Sequence, residues 1–301
     1  MSVEFCGLRL AHPVINGSGT FDAIAARRAF GEPFAQAFPF AAYVSKTITL
    51  QPRAGNPPPR LWETAAGMIN SIGLPNKGLD GYLGEDLPQL CGLRTDSACS
   101  PAGESMPVPL ITNVMGSSGE QLAQLVAACE QRAEISALEL NVSCPNVETG
   151  LDIGADPRQL ERVVSQVRPH TSKPLIVKLT PNAADVPQCA QAAQQGGADA
   201  ISLINTLRAM ALAPGAHGGE PWLGGGSGGL SGPAVRNVAL AQVAAVAERV
   251  TIPVIGMGGV QSAAHARALL DVGATLVAVG TESFRDPAAA VRITFGLMSN
   301  G

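Results

Sequence analysis

Short runs that are apolar at nearly every position alternate along the chain with segments whose apolar residues recur at helical spacing. The runs fall at residues 14–16, 42–47, 110–113, 137–143, 175–180, 200–206, 254–258 and 276–280. Continuous apolarity predicts strands buried on both faces, the environment of a parallel sheet covered by helices. The segments between them carry helix signals. Ser117-Ser118-Gly119-Glu120 reads as a capping box, and Leu122, Leu125, Val126 and Cys129 follow on one face. Asp156-Pro157 places a cap before a proline at the first helical position, with Leu160, Val163, Val164 and Val167 as the apolar stripe. Asp286-Pro287 repeats the device, and Gly196-Gly197 and Gly273 mark helix ends. Eight strand–helix units in this order predict an α/β fold, a (β/α)8 TIM barrel; an open doubly wound sheet is the alternative.

Ahead of the first strand, residues 3–5 and 8–10 around Gly7 predict a small hairpin plugging the barrel floor. Residues 48–87, 88–109 and 207–230 are too long for simple turns, and connections that follow barrel strands lie on the catalytic face. All 301 residues are expected to form one barrel domain.

Composition narrows the function. A net charge of −4, no basic run and few aromatics argue against a nucleic-acid surface. No apolar run reaches the ~20 residues of a spanning helix, and Met1–Cys6 lacks the features of a secretion signal, so a cytoplasmic location is expected. The six cysteines form no C-x-x-C pair, so no metal site is predicted; Cys129 and Cys189 read as core.

The unusual polar residues cluster where the predicted strands end. Lys46-Thr47, Asn113, Asn141 with Cys144, Asn205-Thr206, Gly256-Met257-Gly258-Gly259 and Gly280-Thr281 close six strands, and Lys178 interrupts the apolar fifth. A closed barrel brings these ends into one ring. The glycines after strands seven and eight, with Ser231-Gly232-Pro233, are read as a phosphate rim, or else as tight turns. Lys178 is costly in an apolar strand unless it meets an anion or an electron-rich ring, and Lys46 is read as repeating that situation. Asn70, Asn141, Asn146 and Asn205 supply paired donors and acceptors suited to a pyrimidine or flavin edge. Cys144, in Asn141-Val142-Ser143-Cys144-Pro145-Asn146, reads as a nucleophile, a base or an inert thiol. None of the four histidines ends a strand; His217, in the glycine-rich loop, is the one able to reach in.

These residues carry a family resemblance. Ser45-Lys46-Thr47-Ile48-Thr49-Leu50, Pro52-Arg53-Ala54-Gly55-Asn56-Pro57-Pro58-Pro59-Arg60, Gly67-Met68-Ile69-Asn70-Ser71-Ile72-Gly73-Leu74-Pro75-Asn76, the Asn141 to Asn146 run, Asn205-Thr206, Gly229-Leu230-Ser231-Gly232-Pro233 and the Gly256 to Gly259 run occur in order. Together they resemble the catalytic subunit of class 1 dihydroorotate dehydrogenases. The resemblance implies FMN-dependent oxidation of dihydroorotate to orotate in pyrimidine synthesis, with Cys144 as the base at C5 and hydride leaving C6 for flavin N5. It assigns the substrate to Lys46, Asn70, Ser71, Ile72, Gly73, Leu74, Asn141, Asn146, Asn205 and Thr206. It assigns FMN to Ser18, Lys46, Thr47, Asn113, Asn141, Lys178, Ile204, Gly232, Gly258, Gly259, Gly280 and Thr281. Thr47 to Leu50 and Glu63 to Met68 resemble the B type, in which a homodimer of this chain is joined by two iron–sulfur flavoprotein subunits carrying FAD and [2Fe-2S] and electrons reach NAD. Ser71 and Pro75 look more like the fumarate-linked A type. A dihydropyrimidine dehydrogenase domain, which shares barrel, FMN and cysteine, and a non-catalytic flavin- or phosphate-binding barrel are the rivals.

Overall fold

The computed structural model describes residues 2–100, 103–143, 153–215 and 219–299. One parallel sheet contains eight strands, Val14–Asn16, Tyr43–Val44, Leu110–Val114, Ala137–Asn141, Leu175–Lys178, Ala200–Leu203, Val254–Met257 and Leu276–Val279, here the first to the eighth. From the second onward each pairs with the next, and the eighth pairs with the first, Val279 opposite Asn16. The remaining seam lies between the first and second strands. There Ala41 N–H donates to Val14 O at 3.0 Å. The fully buried Asn16 amide does the rest: Nδ2 donates to Val44 O and Oδ1 accepts from Val44 N, both at 2.8 Å. The sheet is thus a closed (β/α)8 barrel and not an open doubly wound one.

The predicted strands sit where expected, but several stop earlier. The second contains only Tyr43 and Val44, and the fourth ends at Asn141. Polar residues past these points leave the ladder and turn into the mouth. Helices Gly119–Glu130, Pro157–Val167, Val186–Gln195, Arg236–Ala247, Ala263–Asp271 and Ala289–Ser299 cover the outside. Asp156 caps its helix through Oδ1, accepting from Arg158 N and Gln159 N at 2.9 and 3.3 Å. The box around Ser117 is shifted by one residue: Ser118 is the cap, accepting from Gln121 N, and the returning side chain is Gln121 rather than Glu120.

Alternation along each strand divides two cores. Outward residues such as Leu138, Leu140, Val177 and Ile201 meet the helical stripes of Leu122, Val126, Leu160 and Val164. Inward residues Ile15, Val44, Ile111, Ala137, Ile176, Ala200, Ile255 and Leu276 fill the lower barrel. Phe5 and Leu10 of the hairpin Val3–Phe5/Leu8–Leu10 pack onto that layer, so the hairpin plugs the floor as expected. Its turn places Cys6 and Gly7 at φ 48 and 79.

Two of the long connections are more ordered than the sequence implied. Leu61–Thr64 and Gly67–Asn70 form a hairpin that joins Gly228–Ser231 and Leu207–Ala209 in one four-stranded antiparallel sheet. The 88–109 segment goes the other way. Phe38, which leads into the second strand, bridges Thr95, and its N–H donates to Arg94 O at 2.8 Å. That end lies opposite the mouth.

Two measurements check this account. Asn16→Ala leaves the buried N–H and C=O of Val44 unpaired; we expect a loss of about 3 kcal/mol of unfolding free energy, read from urea midpoints at unchanged slope. The second concerns His12, whose ring is 1 % exposed; burial lowers its pKa from 6.5 to about 4. The folded protein excludes a proton that the unfolded chain accepts, so stability is level above 6.5 and falls as pH drops from 6.5 towards 4, by up to about 3 kcal/mol. His12→Asn should flatten urea unfolding between pH 6.5 and 4.5; an unchanged slope would show that His12 is not its source.

Candidate active site

Barrel closure sets the ends of all eight strands around one cavity of about 530 Å3. The loop after the first strand contributes Ser18, whose Oγ donates to Ser45 O at 2.8 Å. After the second come Lys46 and Thr47; after the fourth, Asn141 and Ser143; from the fifth, Lys178; after the sixth, Ile204, Asn205 and Thr206. Gly258 and Gly259 follow the seventh strand, Gly280 and Thr281 the eighth, and Gly232 completes the glycine rim. The antiparallel sheet adds a side wall, because Asn70 ends its strand at the cavity and Ser71, Ile72, Gly73 and Leu74 run along it. Asn56 holds that run: its Nδ2 donates to Ser71 O and Oγ at 3.1 and 3.0 Å. Gly73 has φ 74, and a Cβ there would lie 2.4 Å from Asn56 N, so only glycine lets the two segments meet.

Among the described residues the lining contains two cations, Lys46 and Lys178, and no aspartate, glutamate or arginine. The two lysines differ. Lys178 shares the inward face with Ile176, is 6 % exposed, and has no hydrogen-bond or ion-pair partner among the described residues. An ammonium at the end of so largely buried a side chain, open only to the cavity, is best satisfied by an anionic or electron-rich ligand there. Lys46 does not repeat that burial. The second strand ends before it, and its side chain is exposed at the mouth.

The amides are half committed. Asn141 Oδ1 accepts from Ser143 N at 3.3 Å and from Asn205 Nδ2 at 3.4 Å, leaving its own NH2 without a partner among the described residues. Asn205 Nδ2 also donates to Ser143 Oγ at 3.0 Å, and Asn205 Oδ1 accepts from Thr206 N. Asn70 does the reverse: Nδ2 donates to Gly229 O at 3.2 Å, which frees Oδ1. The cavity therefore offers a donor at Asn141 and an acceptor at Asn70, the pattern a heterocycle with mixed N–H and C=O edges would take.

Asn113 is the one described candidate that does not line the cavity. It sits a layer lower, fully buried, donating through Nδ2 to Glu139 Oε2 at 2.5 Å, with Oδ1 unpartnered. Glu139 is itself 2 % exposed and accepts from Ser202 Oγ at 2.7 Å. The run 137–143 thus hides a carboxylate that its apolar neighbours masked. Met257 and Ser231, within the runs expected there, line the cavity, and so do Ser143, Met115 and Phe284, which were not anticipated. Ser143 could have been read from its place beside Cys144; the others are ordinary residues that only topology brings there. Cys144, Asn146 and His217 lie outside the described residues. Each described cysteine, Cys6, Cys91, Cys99, Cys129 and Cys189, has its thiol pushed up by burial, and none lines the cavity. Cys129 and Cys189 are buried, as expected of core.

The fold and this cavity define a class, a (β/α)8 barrel protein whose mouth is built for an anionic, heterocyclic ligand. The profile of the Dihydroorotate dehydrogenase family matches residues 1–300. The chain is 41 % identical to the "Dihydroorotate dehydrogenase B (NAD(+)), catalytic subunit" of Geotalea daltonii over 301 residues, 99 % of this chain and 92 % of that one. Proteins with the same description from Geotalea uraniireducens and Trichlorobacter lovleyi are 42 % and 43 % identical with the same coverage. The chain belongs to the dihydroorotate dehydrogenase family and is an oxidoreductase. No helix among the described residues is long and apolar enough to cross a membrane.

A ligand-directed lysine makes a test possible. Lys178→Met keeps the side chain's length and removes the unpartnered ammonium. The ligand-free protein should gain about 1–3 kcal/mol in stability while dihydroorotate oxidation is lost; a melting temperature that fell would mean the ammonium has a structural partner.

Proposed function

We propose that this chain is the catalytic subunit of an NAD-linked dihydroorotate dehydrogenase, oxidising dihydroorotate to orotate in pyrimidine synthesis. The observation that carries the reading is a cavity that, among the described residues, is lined by two ammonium groups and no carboxylate, with Lys178 largely buried and without a partner among those residues. An FMN group fits these residues. Its phosphate suits the rim of Gly232, Gly258, Gly259, Gly280 and Thr281, where backbone N–H groups can approach an anion without a Cβ in the way. Lys178, with Ser18, Lys46, Thr47, Asn141 and Ile204, suits its ring. Asn113 would act through the layer beneath, its free oxygen accepting a donor from above. When bound, FMN supplies the acceptor for hydride from the substrate's C6.

The chain's own residues do the rest. Lys46 offers its charge to the substrate carboxylate. Asn70, Asn141 and Asn205, together with Asn146, hold the pyrimidine by its alternating donors and acceptors. The Ser71 to Leu74 run, braced by Asn56, covers one side and excludes water. Cys144 takes the proton from C5; an ordinary thiol, with a pKa near ~8.5, is matched to that exchange near neutrality. The descriptions of the relatives support the NAD-linked type and, by "catalytic subunit", a partner. We place FAD and a [2Fe-2S] cluster on that partner, two copies of which would join a dimer of this chain.

Cys144→Ala should retain FMN and lose reduction of the flavin by dihydroorotate by roughly 10²–10⁴-fold, the range of a missing general base. Cys144→Ser should keep a weak rate that climbs with pH, because a hydroxyl is the poorer base. Stopped-flow bleaching of the flavin reads both. An alanine variant bleaching at the wild-type rate would remove Cys144 from the mechanism, and fumarate reduction by this chain alone would move it to the A type.

A further inference from the structure

The two glycine turns of the rim do not stand by themselves. Behind them, away from the cavity, runs a chain of hydrogen bonds through residues that are not themselves part of the lining. Arg236 opens the helix Arg236–Ala247; its Nε donates to Gly259 O at 2.9 Å and its Nη2 to Gln261 Oε1 at 2.6 Å. Gln261 Nε2 donates onward to Glu282 Oε2 at 2.8 Å. Glu282 is 5 % exposed and follows Thr281, so the bond spans from the turn after the seventh strand to the turn after the eighth. Glu282 Oε1 takes Arg285 Nη2 at 2.6 Å, with Arg292 Nη2 3.6 Å away, and Arg292 Nη1 donates to Gln261 O at 2.8 Å.

The order of these bonds has one solution. A guanidinium only donates and a carboxylate only accepts, so the Gln261 amide must turn its oxygen to Arg236 and its nitrogen to Glu282. Glu282 stays a carboxylate: burial pushes its pKa up, but Arg285 and Gln261 hydrogen bonds and the charges of Arg285 and Arg292 hold it below the usual range. The spacing is also tight. Gly259 has φ 68, and a Cβ on it would come 2.8 Å from Gly232 O and 2.9 Å from Arg236 Cβ. The Gly259 turn is thus packed directly between Gly232 and Arg236. The cluster of Arg236, Arg285 and Arg292 against Glu282 and Asp286 has one more cation than anion, so a carboxylate beside Thr281 does not make the rim hostile to an anion.

We propose that Arg236, Gln261 and Glu282 are positioning residues for the ligand's phosphate: they lock the two glycine turns at the separation a phosphate monoester requires, and so set how strongly the protein prefers a phosphorylated flavin over the same ring without phosphate. This rests on the flavin reading above. None of the three touches the ligand; each acts through the backbone of a turn that does.

The test compares FMN with riboflavin on protein stripped of its flavin, by quenching of flavin fluorescence. Gln261→Met removes both side-chain bonds at nearly constant volume. Arg236→Lys keeps the charge but cannot serve Gly259 O and Gln261 together. For Gln261→Met the FMN dissociation constant should rise at least tenfold while that for riboflavin changes less than twofold. Arg236→Lys should show the same selective loss, to a smaller degree. Equal weakening of both flavins, or no change in either, overturns the proposal. Wild-type protein that binds neither flavin would instead overturn the flavin reading, and the brace with it.

Discussion

The whole site depends on a seam in which one side chain, Asn16, stands in for most of a strand ladder. The first and second strands are only three and two residues long, too short for a full ladder between them. Asn16 supplies what the ladder lacks, because a carboxamide presents the same donor and acceptor as a peptide group and can take both backbone groups of Val44. If that seam opened, the sheet would have two edges, and the groups after strands one and two would move away from those after strands seven and eight. Ser18, Lys46 and Thr47 share a cavity with Gly258 and Gly280 only because the sheet is closed.

Closure also sorts the barrel interior by height. Below, Phe5 and Leu10 seal an apolar layer that needs no polar partner. One layer up, Asn113, Glu139 and Ser202 satisfy one another in part, leaving Asn113 Oδ1 over. Above them sits Lys178, without a partner among the described residues. Along this inward-facing column the polar groups become less satisfied towards the mouth, although His12 Nε2, ahead of the first strand, also lacks a partner among the described residues. A fold selected for stability alone would run the other way, since each unpartnered buried group costs free energy that an apolar residue would not. An unpartnered cation and free amide atoms at the mouth suit a polar, electron-rich ligand.

How far the sequence reached follows from the range of the forces involved. Strand and helix positions were legible because burial on both faces and capping are local. The hairpin plug was legible for the same reason, as were the mouth residues, since strand ends in a barrel must converge. The antiparallel sheet was not. Gly228–Ser231 has the composition of a loop, and what makes it a strand is pairing with Gly67–Asn70, distant in sequence. Lys46 was misread because an apolar context was taken to continue through it, whereas the strand had already ended at Val44. Asn113 was placed at the mouth because it ends its predicted strand, but the observed strand continues to Val114 and leaves it a layer below. Glu139 escaped because a lone carboxylate among leucines has no local signature; only Asn113 and Ser202, from other strands, reveal its purpose.

The two halves of the mouth obey different rules. On the ring side, Lys178, Asn141 and Asn70 keep atoms free, and the ligand must complete them. On the rim side Arg236, Gln261 and Glu282 are held by one another, by Gly259 O and by Arg285, although Ser283 Oγ beside them lacks a partner among the described residues. The difference matches the contacts each side has to make. Backbone N–H groups around an anion have little reach of their own, so the turns bearing them must be held in advance. Side-chain amides and an ammonium can adjust, and so can wait unpartnered for a ring. A rigid rim then fixes where the ring lies relative to the flexible groups, which lets one anchored end determine the geometry at the other.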